Sequence, residues 1–113
     1  MTNKYKQGEI GHRNWGLWEV LDCGESFCLK RLTLRCYSSI SKQRHNYRSE
    51  TWVVIAGSGT VTIDDDRFAA KVGDVFYINA QQIHRLSAGE EGMVVIELQK
   101  GTLLDENDIE RFV

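Results

Sequence analysis

The stretch QRHNYRSETWVVI, residues 43–55, leads polar side chains directly into an apolar run. Residues two apart on a strand point to the same side, so Gln43 and His45 would share a face. Glu50 follows His45 at an odd interval, and a bulge or bend between them would have to bring its carboxylate to that face. The stretch therefore predicts a strand whose approach carries an amide, an imidazole and a carboxylate toward one site.

A second stretch, GDVFYINAQQIHR at residues 73–85, places His84 just after another run with strand character. With Gln43, His45 and Glu50 it would complete a mixed nitrogen and oxygen donor set. Such a set suits zinc, manganese, iron or nickel and leaves coordination positions open for a substrate. Spacing alone does not establish a metal site, because a histidine near a strand end is commonly structural. The alternative is a pocket filled by hydrogen bonds and water.

The rest of the chain shows the same strand character. Proline is absent, and no long window has helical periodicity. The Gly-Ser-Gly sequence at 57–59 predicts a tight turn, and the three aspartates at 64–66 predict a hairpin tip. In the tail, Asp105 can cap a short helical turn. The pattern predicts an all-β sandwich, barrel or jelly roll, with strands near 15–21, 27–34, 51–55, 60–63, 75–78 and 93–98.

Composition limits the classes of function. The chain has 113 residues, which suits one core, and we interpret residues 1–113 as a single domain. The net charge of −2 is scattered without a basic stripe, which argues against nucleic acid as a partner. No apolar run is long enough to span a membrane, and the polar start lacks the apolar segment of a signal peptide. We therefore expect a cytoplasmic location and neither a nucleic acid nor a membrane as partner.

The three cysteines are Cys23, Cys28 and Cys36. Their odd number and the expected reducing compartment argue against a disulfide framework, and their spacing is not that of a zinc ribbon. We interpret them as small apolar residues on strands.

The two polar stretches have the spacing of the paired motifs of the cupin superfamily. More closely, the chain resembles the C-terminal domain of type II mannose-6-phosphate isomerases, which also has Gln where most cupins have the first His. Similar segments include RNWG at 13–16, RSETWVV at 48–54, IELQKG at 96–101 and LLDENDIERF at 103–112, and the resemblance covers residues 12–112. The matching motif positions are Gln43, His45, Glu50 and Gly57 in the first motif, and Gly73 and His84 in the second.

This resemblance implies a fold and a cofactor. The fold would be a single-domain cupin, a double-stranded β-helix or jelly-roll barrel at roughly 12–104, with a short C-terminal helical turn. The cofactor would be one divalent transition metal ion, zinc first, with manganese, iron or nickel as alternatives. The chain is too short for the sugar-nucleotide transferase domain of larger members, so we do not expect it to make GDP-mannose. The implied metal ligands are Gln43, His45, Glu50 and His84.

The resemblance also implies an activity and catalytic residues. The chain would be a metal-dependent isomerase of aldose and ketose phosphates, with mannose 6-phosphate and fructose 6-phosphate first among the substrates. Arg48 would stabilise developing charge, and its alternative role is a surface ion pair. Glu97 and Lys30 are candidates for the base that moves the proton, and a metal-bound hydroxide is another. For Glu97 and Lys30 the alternative is an outward-facing strand position.

Three further residues at positions similar to the family would line the substrate pocket. They are Arg85, Ser41 and Gln99, and the partner they would bind is a small sugar phosphate. A surface ion pair is the alternative for Arg85, and an outward-facing strand position is the alternative for the other two.

Two alternative functions and the oligomeric state remain open at this point. The rivals are a non-catalytic cupin that binds a sugar or a metal as an accessory to polysaccharide biosynthesis, and another sugar-modifying cupin such as an epimerase. A homodimer is expected, because the runs at 53–55 and 93–96 are apolar on both alternating faces. The alternative is that the N-terminal segment, with Trp15 and Trp18, covers the exposed face within one chain.

Overall fold

A computed structural model describes residues 2–113 of the chain. Most strands of this range join one curled antiparallel sheet, and no helix is present between residues 2 and 113. The prediction of an all-β fold is therefore confirmed. The strands are β1 (Thr2–Asn3), β2 (Ile10–Arg13), β3 (Gly16–Cys23), β4 (Phe27–Leu34), β5 (Lys42–Arg44), β6 (Arg48–Ile63), β7 (Asp66–Lys71), β8 (Val75–Ile78), β9 (His84–Gly101), β10 (Leu103–Leu104) and β11 (Glu110–Phe112).

Strands β6 and β9 form a long antiparallel ribbon that folds back on itself. Ile63 pairs with His84 at one end of the ribbon, and Glu50 pairs with Gln99 near the other end. Two register shifts, at Val54/Ala56 and at Gly57/Gly59, interrupt this pairing and bend the ribbon, and the second leaves the extra residues mainly on β9. The bend brings the side chains of Glu50 and His84 together although they belong to opposite ends of the ribbon.

Glycines make the corner of this ribbon. Gly57 has φ +73°, and a Cβ there would lie 2.1 Å from the carbonyl oxygen of Gly92 on β9, so only glycine fits. The prediction of a tight turn at 57–59 is wrong, because these residues continue β6 through a bulge. A turn and a bulge share this glycine signature, since both need a positive φ or a close approach of two backbones. The hairpin predicted at 64–66 is confirmed, with Ile63 paired to Asp66.

Inward-facing side chains change from apolar to polar along the central strands. Leu32, Val95 and Val54 are cross-strand neighbours on β4, β9 and β6, and all three are buried. One pair of residues further along, Lys30 lies opposite Glu97, and both are buried as well. Each strand therefore contributes to the hydrophobic core with one part and to a polar cavity with the next. The buried apolar residues are Tyr5, Trp18, Val20, Cys28, Leu32, Leu34, Ile40, Trp52, Val54, Val61, Ala70, Ile78, Leu86, Ala88, Met93, Val95 and Leu104.

The tail does not form the helical turn that the sequence predicted, and that prediction is wrong. The amide of Asp108 donates to the carbonyl oxygen of Asp105 at 3.1 Å, which closes a turn, and the chain then continues as β11 against β5. Asp105 does cap this turn, since its carboxylate accepts from the amide of Asn107 at 2.9 Å. The strand is favoured because its backbone groups pair with β5, whereas a helical turn would leave them to water.

The cysteines form no disulfide within the described residues. Cys28 faces the core from β4, and burial raises the pKa of its thiol to about 12. Cys23 is half-buried at the end of β3, and Cys36 is exposed in the turn after β4. The interpretation as small strand residues therefore fits Cys23 and Cys28 and does not fit Cys36.

One outer face of the sheet remains apolar and open to solvent. Ile55 on β6 is exposed, and so are Val75 and Tyr77 on the neighbouring strand β8. Trp15 and Trp18 line the cavity on the inside of the sheet. These tryptophans therefore do not cover the exposed face, contrary to the single-chain alternative.

Candidate metal centre

Three buried side chains converge beside the cavity that the curled sheet encloses. Glu50 carboxylate oxygens lie 3.3 Å from His45 Nε2 and 3.6 Å from His84 Nε2. One ligand atom from each of the three lies within 4.8 Å of the others. His45 is carried by the bend between β5 and β6, which corrects the odd interval between His45 and Glu50 seen in the sequence. Two imidazoles and a carboxylate at this separation form a nitrogen and oxygen donor set of the kind that binds transition metals.

Hydrogen bonds from the far side of each imidazole orient the donor atoms. His45 Nδ1 lies 2.7 Å from the Asp108 carbonyl oxygen, and His84 Nδ1 lies 2.9 Å from that of Gln82. Since a carbonyl only accepts, both Nδ1 atoms carry the proton, and both Nε2 atoms present lone pairs toward Glu50. His84 Nε2 is buried and has no hydrogen-bond partner among residues 2–113. This orphaned lone pair shows that the residues fit a metal ion.

Two neighbours would have to adjust for a metal to bind. Gln43 Nε2 lies 3.4 Å from His45 Nε2, while its Oε1 accepts from Ser41 Oγ at 2.8 Å. Ligation through the amide oxygen therefore requires the Gln43 amide to flip. Arg48 NH2 lies 3.2 Å from His45 Nε2 and would have to withdraw from that lone pair. The structure thus places Gln43 next to the other three predicted ligands, with its nitrogen turned inward.

The charges of this cluster are set by burial and by Arg48. Burial alone would raise the pKa of the Glu50 carboxyl, but the adjacent imidazoles and the Arg48 guanidinium hold that pKa well below its usual range. Arg48 Nε donates to Glu50 at 3.0 Å, and both side chains are buried, so the pair is not the surface ion pair considered as an alternative. Burial also lowers the pKa of His45 to about 4. An ionised Glu50 beside a neutral His45 is the protonation state that metal binding needs.

A second carboxyl group faces the same cavity. Burial, together with the nearby charge of Glu50, raises the pKa of Glu97 to about 8. Gln99 Nε2 donates to Glu97 at 2.6 Å, while Gln99 Oε1 is buried without a partner in the described part of the chain. Both residues face inward, as does Lys30, so the outward-facing alternative does not apply to these three.

The cavity has a volume of about 360 Å³ and gathers most of the predicted site residues. Glu50 and His84 do not line it, and they lie behind the wall that His45 forms. Arg85 lines it as an exposed residue. Arg13 and Arg111, which the sequence analysis did not select, also line it. The predicted residues that line it are Lys30, Ser41, Gln43, His45, Arg48, Arg85, Glu97 and Gln99.

Lys30 belongs to a separate ionic cluster in the cavity wall. Its ammonium lies 3.0 Å from Glu106 and stacks over the rings of Tyr5 at 4.0 Å and Trp18 at 4.3 Å. The Tyr5 hydroxyl also donates to Glu106. Burial opposes ionisation of Glu106, but the charge of Lys30 and these hydrogen bonds lower its pKa to about 2. The side-chain nitrogen of Lys30 is therefore already engaged by Glu106 and by two aromatic rings.

Sequence reasoning missed Glu106, Asp108 and Tyr5. The tail that carries Glu106 and Asp108 was part of the family resemblance, and this was the available signal. The helical interpretation of the tail concealed that these carboxylates contact the site. Tyr5 precedes the region of resemblance, and no motif in the sequence pointed to it.

The family model for the C-terminal region of mannose-6-phosphate isomerase matches residues 2–113. The chain belongs to this family. Members similar to it include the alginate biosynthesis protein AlgA of Pseudomonas putida, which is 37% identical over 102 residues, and the mannose-1-phosphate guanylyltransferase of Escherichia coli, which is 35% identical over 102 residues. Each match covers 89% of this chain and 21% of the relative. The chain thus spans about a fifth of the length of these family members.

Solved structures show that this family member has the cupin fold. An RmlC-like cupin from Shewanella frigidimarina superposes with a TM-score of 0.74 at 15% identity, covering 88% of this chain and 92% of that one. KdgF from a Halomonas species superposes with a TM-score of 0.71 at 15% identity, covering 75% and 77%. The cupin prediction is confirmed. In addition, no helix that could cross a membrane occurs within residues 2–113, and the cytoplasmic location stays a prediction.

Proposed function

We propose that the chain is a metal-dependent isomerase of sugar phosphates that converts mannose 6-phosphate to fructose 6-phosphate. The observation that carries this proposal is one cavity that brings potential metal ligands close to a carboxyl group that could transfer a proton. Of the buried donors, His45 lines the cavity, and Glu50 and His84 lie directly behind it. The inward-facing carboxyl of Glu97 lines the same cavity beside them. The family of the chain and the names of its relatives in alginate and mannose metabolism support the same substrate class.

Charge in the cavity favours an anionic sugar. Basic side chains outnumber acidic ones along its wall, where the acids are Glu97 and Glu106. Guanidinium groups are suited to phosphate because they bind it through two parallel hydrogen bonds. The orphaned Oε1 of Gln99 can accept from a sugar hydroxyl. The basic residues are Arg13, Lys30, Arg48, Arg85 and Arg111.

The isomerisation requires a proton to leave the carbon beside a carbonyl and to return to the adjacent carbon. Glu97 is our choice for the group that moves it, because its carboxyl lines the cavity next to the donor set. Lys30 is better suited to hold an oxygen of the substrate, since its side-chain nitrogen is paired with Glu106 in the cavity wall. Arg48 would stabilise negative charge that develops on the substrate. A divalent metal bound by His45, Glu50, His84 and a flipped Gln43 would polarise the carbonyl.

Turnover of mannose 6-phosphate after reconstitution with zinc, manganese, iron or nickel tests this proposal. We expect His84→Ala to lose both metal and turnover, and Glu97→Gln to keep the metal and lose turnover. Asp65→Asn, at the exposed tip of the β6–β7 hairpin, is the matched control and should match the wild type.

Different outcomes favour different functions. If the metal-loaded wild type converts no hexose or pentose phosphate but binds one, the chain is a binding cupin accessory to polysaccharide biosynthesis. If it changes the configuration of a sugar without moving the carbonyl, it is an epimerase. Full turnover by Glu97→Gln would remove Glu97 from the chemistry.

A further inference from the structure

We propose that the tail segment 105–112, here called the strap, positions the metal-binding imidazole of His45, and that Asp108 is the residue through which it does so. This proposal rests on the metal-dependent function proposed above. The strap is a turn at 105–108 followed by β11, and it crosses the bend that carries His45. Asp108 would be a positioning residue, because it touches His45 and the bend rather than the cavity.

The first contact fixes the ring of His45. Its Nδ1 donates to the Asp108 carbonyl oxygen at 2.7 Å, and this bond is buried. Because Nδ1 holds the proton, Nε2 keeps its lone pair for a metal. A histidine exposed to water favours the opposite tautomer, with the proton on Nε2. The strap therefore selects the form of His45 that can bind.

The second contact fixes the strap itself to the bend. One carboxylate oxygen of Asp108 accepts from the amide of Asn46 at 3.0 Å, and the other accepts from the amide of Tyr47 at 3.0 Å. These residues directly follow His45. The carboxylate of Asp108 thus holds the backbone that follows His45, while the backbone carbonyl of Asp108 holds the imidazole ring.

The strap also contacts two other residues of the cavity. Arg48 NH1 donates to the carbonyl oxygen of Asp105 at 3.2 Å, and Arg48 NH2 faces His45 Nε2. Glu106 holds the ammonium of Lys30. Three residues of one short segment therefore contact His45, Arg48 and Lys30, all of which line the cavity.

A purely architectural strap would not need these contacts. The ladder between β11 and β5 already attaches the tail to the sheet at residues 110–112. The contacts of Asp105, Glu106 and Asp108 are additional, and each reaches a site residue or the bend beside one. This distinction can be tested with single substitutions inside the strap.

The experiment compares Asp108→Ala and Asp108→Asn with the wild type in the full chain. Zinc affinity is measured with zinc alone by competition with a chelating dye, and the tautomer of metal-free His45 is read from its ring nitrogen shifts by NMR. Asp108→Ala keeps the backbone carbonyl but removes the carboxylate that holds the strap against the bend, so the carbonyl is no longer fixed beside the ring. It should weaken zinc binding by about 10- to 100-fold and give a mixture of tautomers. Asp108→Asn keeps one acceptor oxygen, so its zinc affinity and its ratio of His45 tautomers should lie between those of the wild type and Asp108→Ala. Asp65→Ala is the surface control, and Glu106→Gln is the control within the strap because it leaves both Asp108 contacts intact.

Zinc affinity within about twofold of wild type in Asp108→Asn, with a single His45 tautomer, would overturn the proposal even if Asp108→Ala fails to fold. Equal losses in Glu106→Gln and Asp108→Asn would also overturn it, because the strap would then act only through general stability. Both measurements are independent of turnover. A failure of the isomerase proposal is therefore distinguishable from a failure of this one.

Discussion

Replacing Glu50 with Gln should destabilise the metal-free protein strongly, because it leaves Arg48 buried without its counterion. Arg48 Nε donates to Glu50 at 3.0 Å, and the two side chains are only 4% and 2% exposed. Removing one partner of a buried ion pair costs about 3–5 kcal/mol. Since the amide oxygen of Gln can still accept from Arg48, we take the lower end, about 3 kcal/mol. At about 4 °C per kcal/mol, the melting temperature should fall by roughly 12 °C.

The measurement is urea unfolding in the presence of a chelator, followed by tryptophan fluorescence. A matched control is Glu19→Gln, which breaks the solvent-exposed pair with Arg31 at 3.4 Å and should cost less than about 1 kcal/mol. Adding Arg48→Met to Glu50→Gln removes the unpaired charge and should recover most of the loss. A cost below about 1 kcal/mol for Glu50→Gln, equal to that of the control, would refute the reasoning that this pair is buried and coupled.

Two further predictions concern pH and assembly. Burial lowers the pKa of His45 from 6.5 to about 4, so the unfolded chain takes up a proton first as the pH falls through 6.5. The free energy of unfolding of the metal-free protein should then drop by about 3 kcal/mol between pH 6.5 and pH 4, and His45→Gln should flatten this slope. The exposed apolar face of β6 and β8 predicts a homodimer, so light scattering should give twice the chain mass of 13.0 kDa. Val75→Lys should return it to the monomer mass, and a wild-type monomer at every concentration would contradict this prediction.

The strand content could be predicted from the sequence because it depends on local pattern, whereas the donor set was proposed from two polar stretches together with a family resemblance. His45 and Glu50 were assigned to one site despite their odd interval, and the bend between β5 and β6 is what reconciles them. His84 came from the second polar stretch, and the family resemblance then gave weight to the whole set. The proximity of His84 to Glu50 arises from the fold of the β6–β9 ribbon, which no local pattern encodes.

The parts that could not be predicted depend on contacts between distant segments. Glu106 and Lys30 are separated by most of the chain, and neither position alone signals an ion pair. Asp105 and Asp108 have the spacing of a helix-capping pattern, so the local sequence favours a helical turn. The backbone pairing of β11 with β5 favours a strand instead, and this pairing is not visible in the local sequence. The sequence pattern at 57–59 likewise could not separate a turn from a corner bulge. In each case a partner remote in sequence decided the outcome.

The position of the strap at the end of the site-forming residues has a consequence for biosynthesis. A ribosome delivers His45, Glu50, His84 and Glu97 before it delivers Asp108. A chain that stops before residue 105 would therefore contain all the donors but would lack the carbonyl acceptor of His45. If the strap has the role proposed above, such an incomplete chain would load metal poorly.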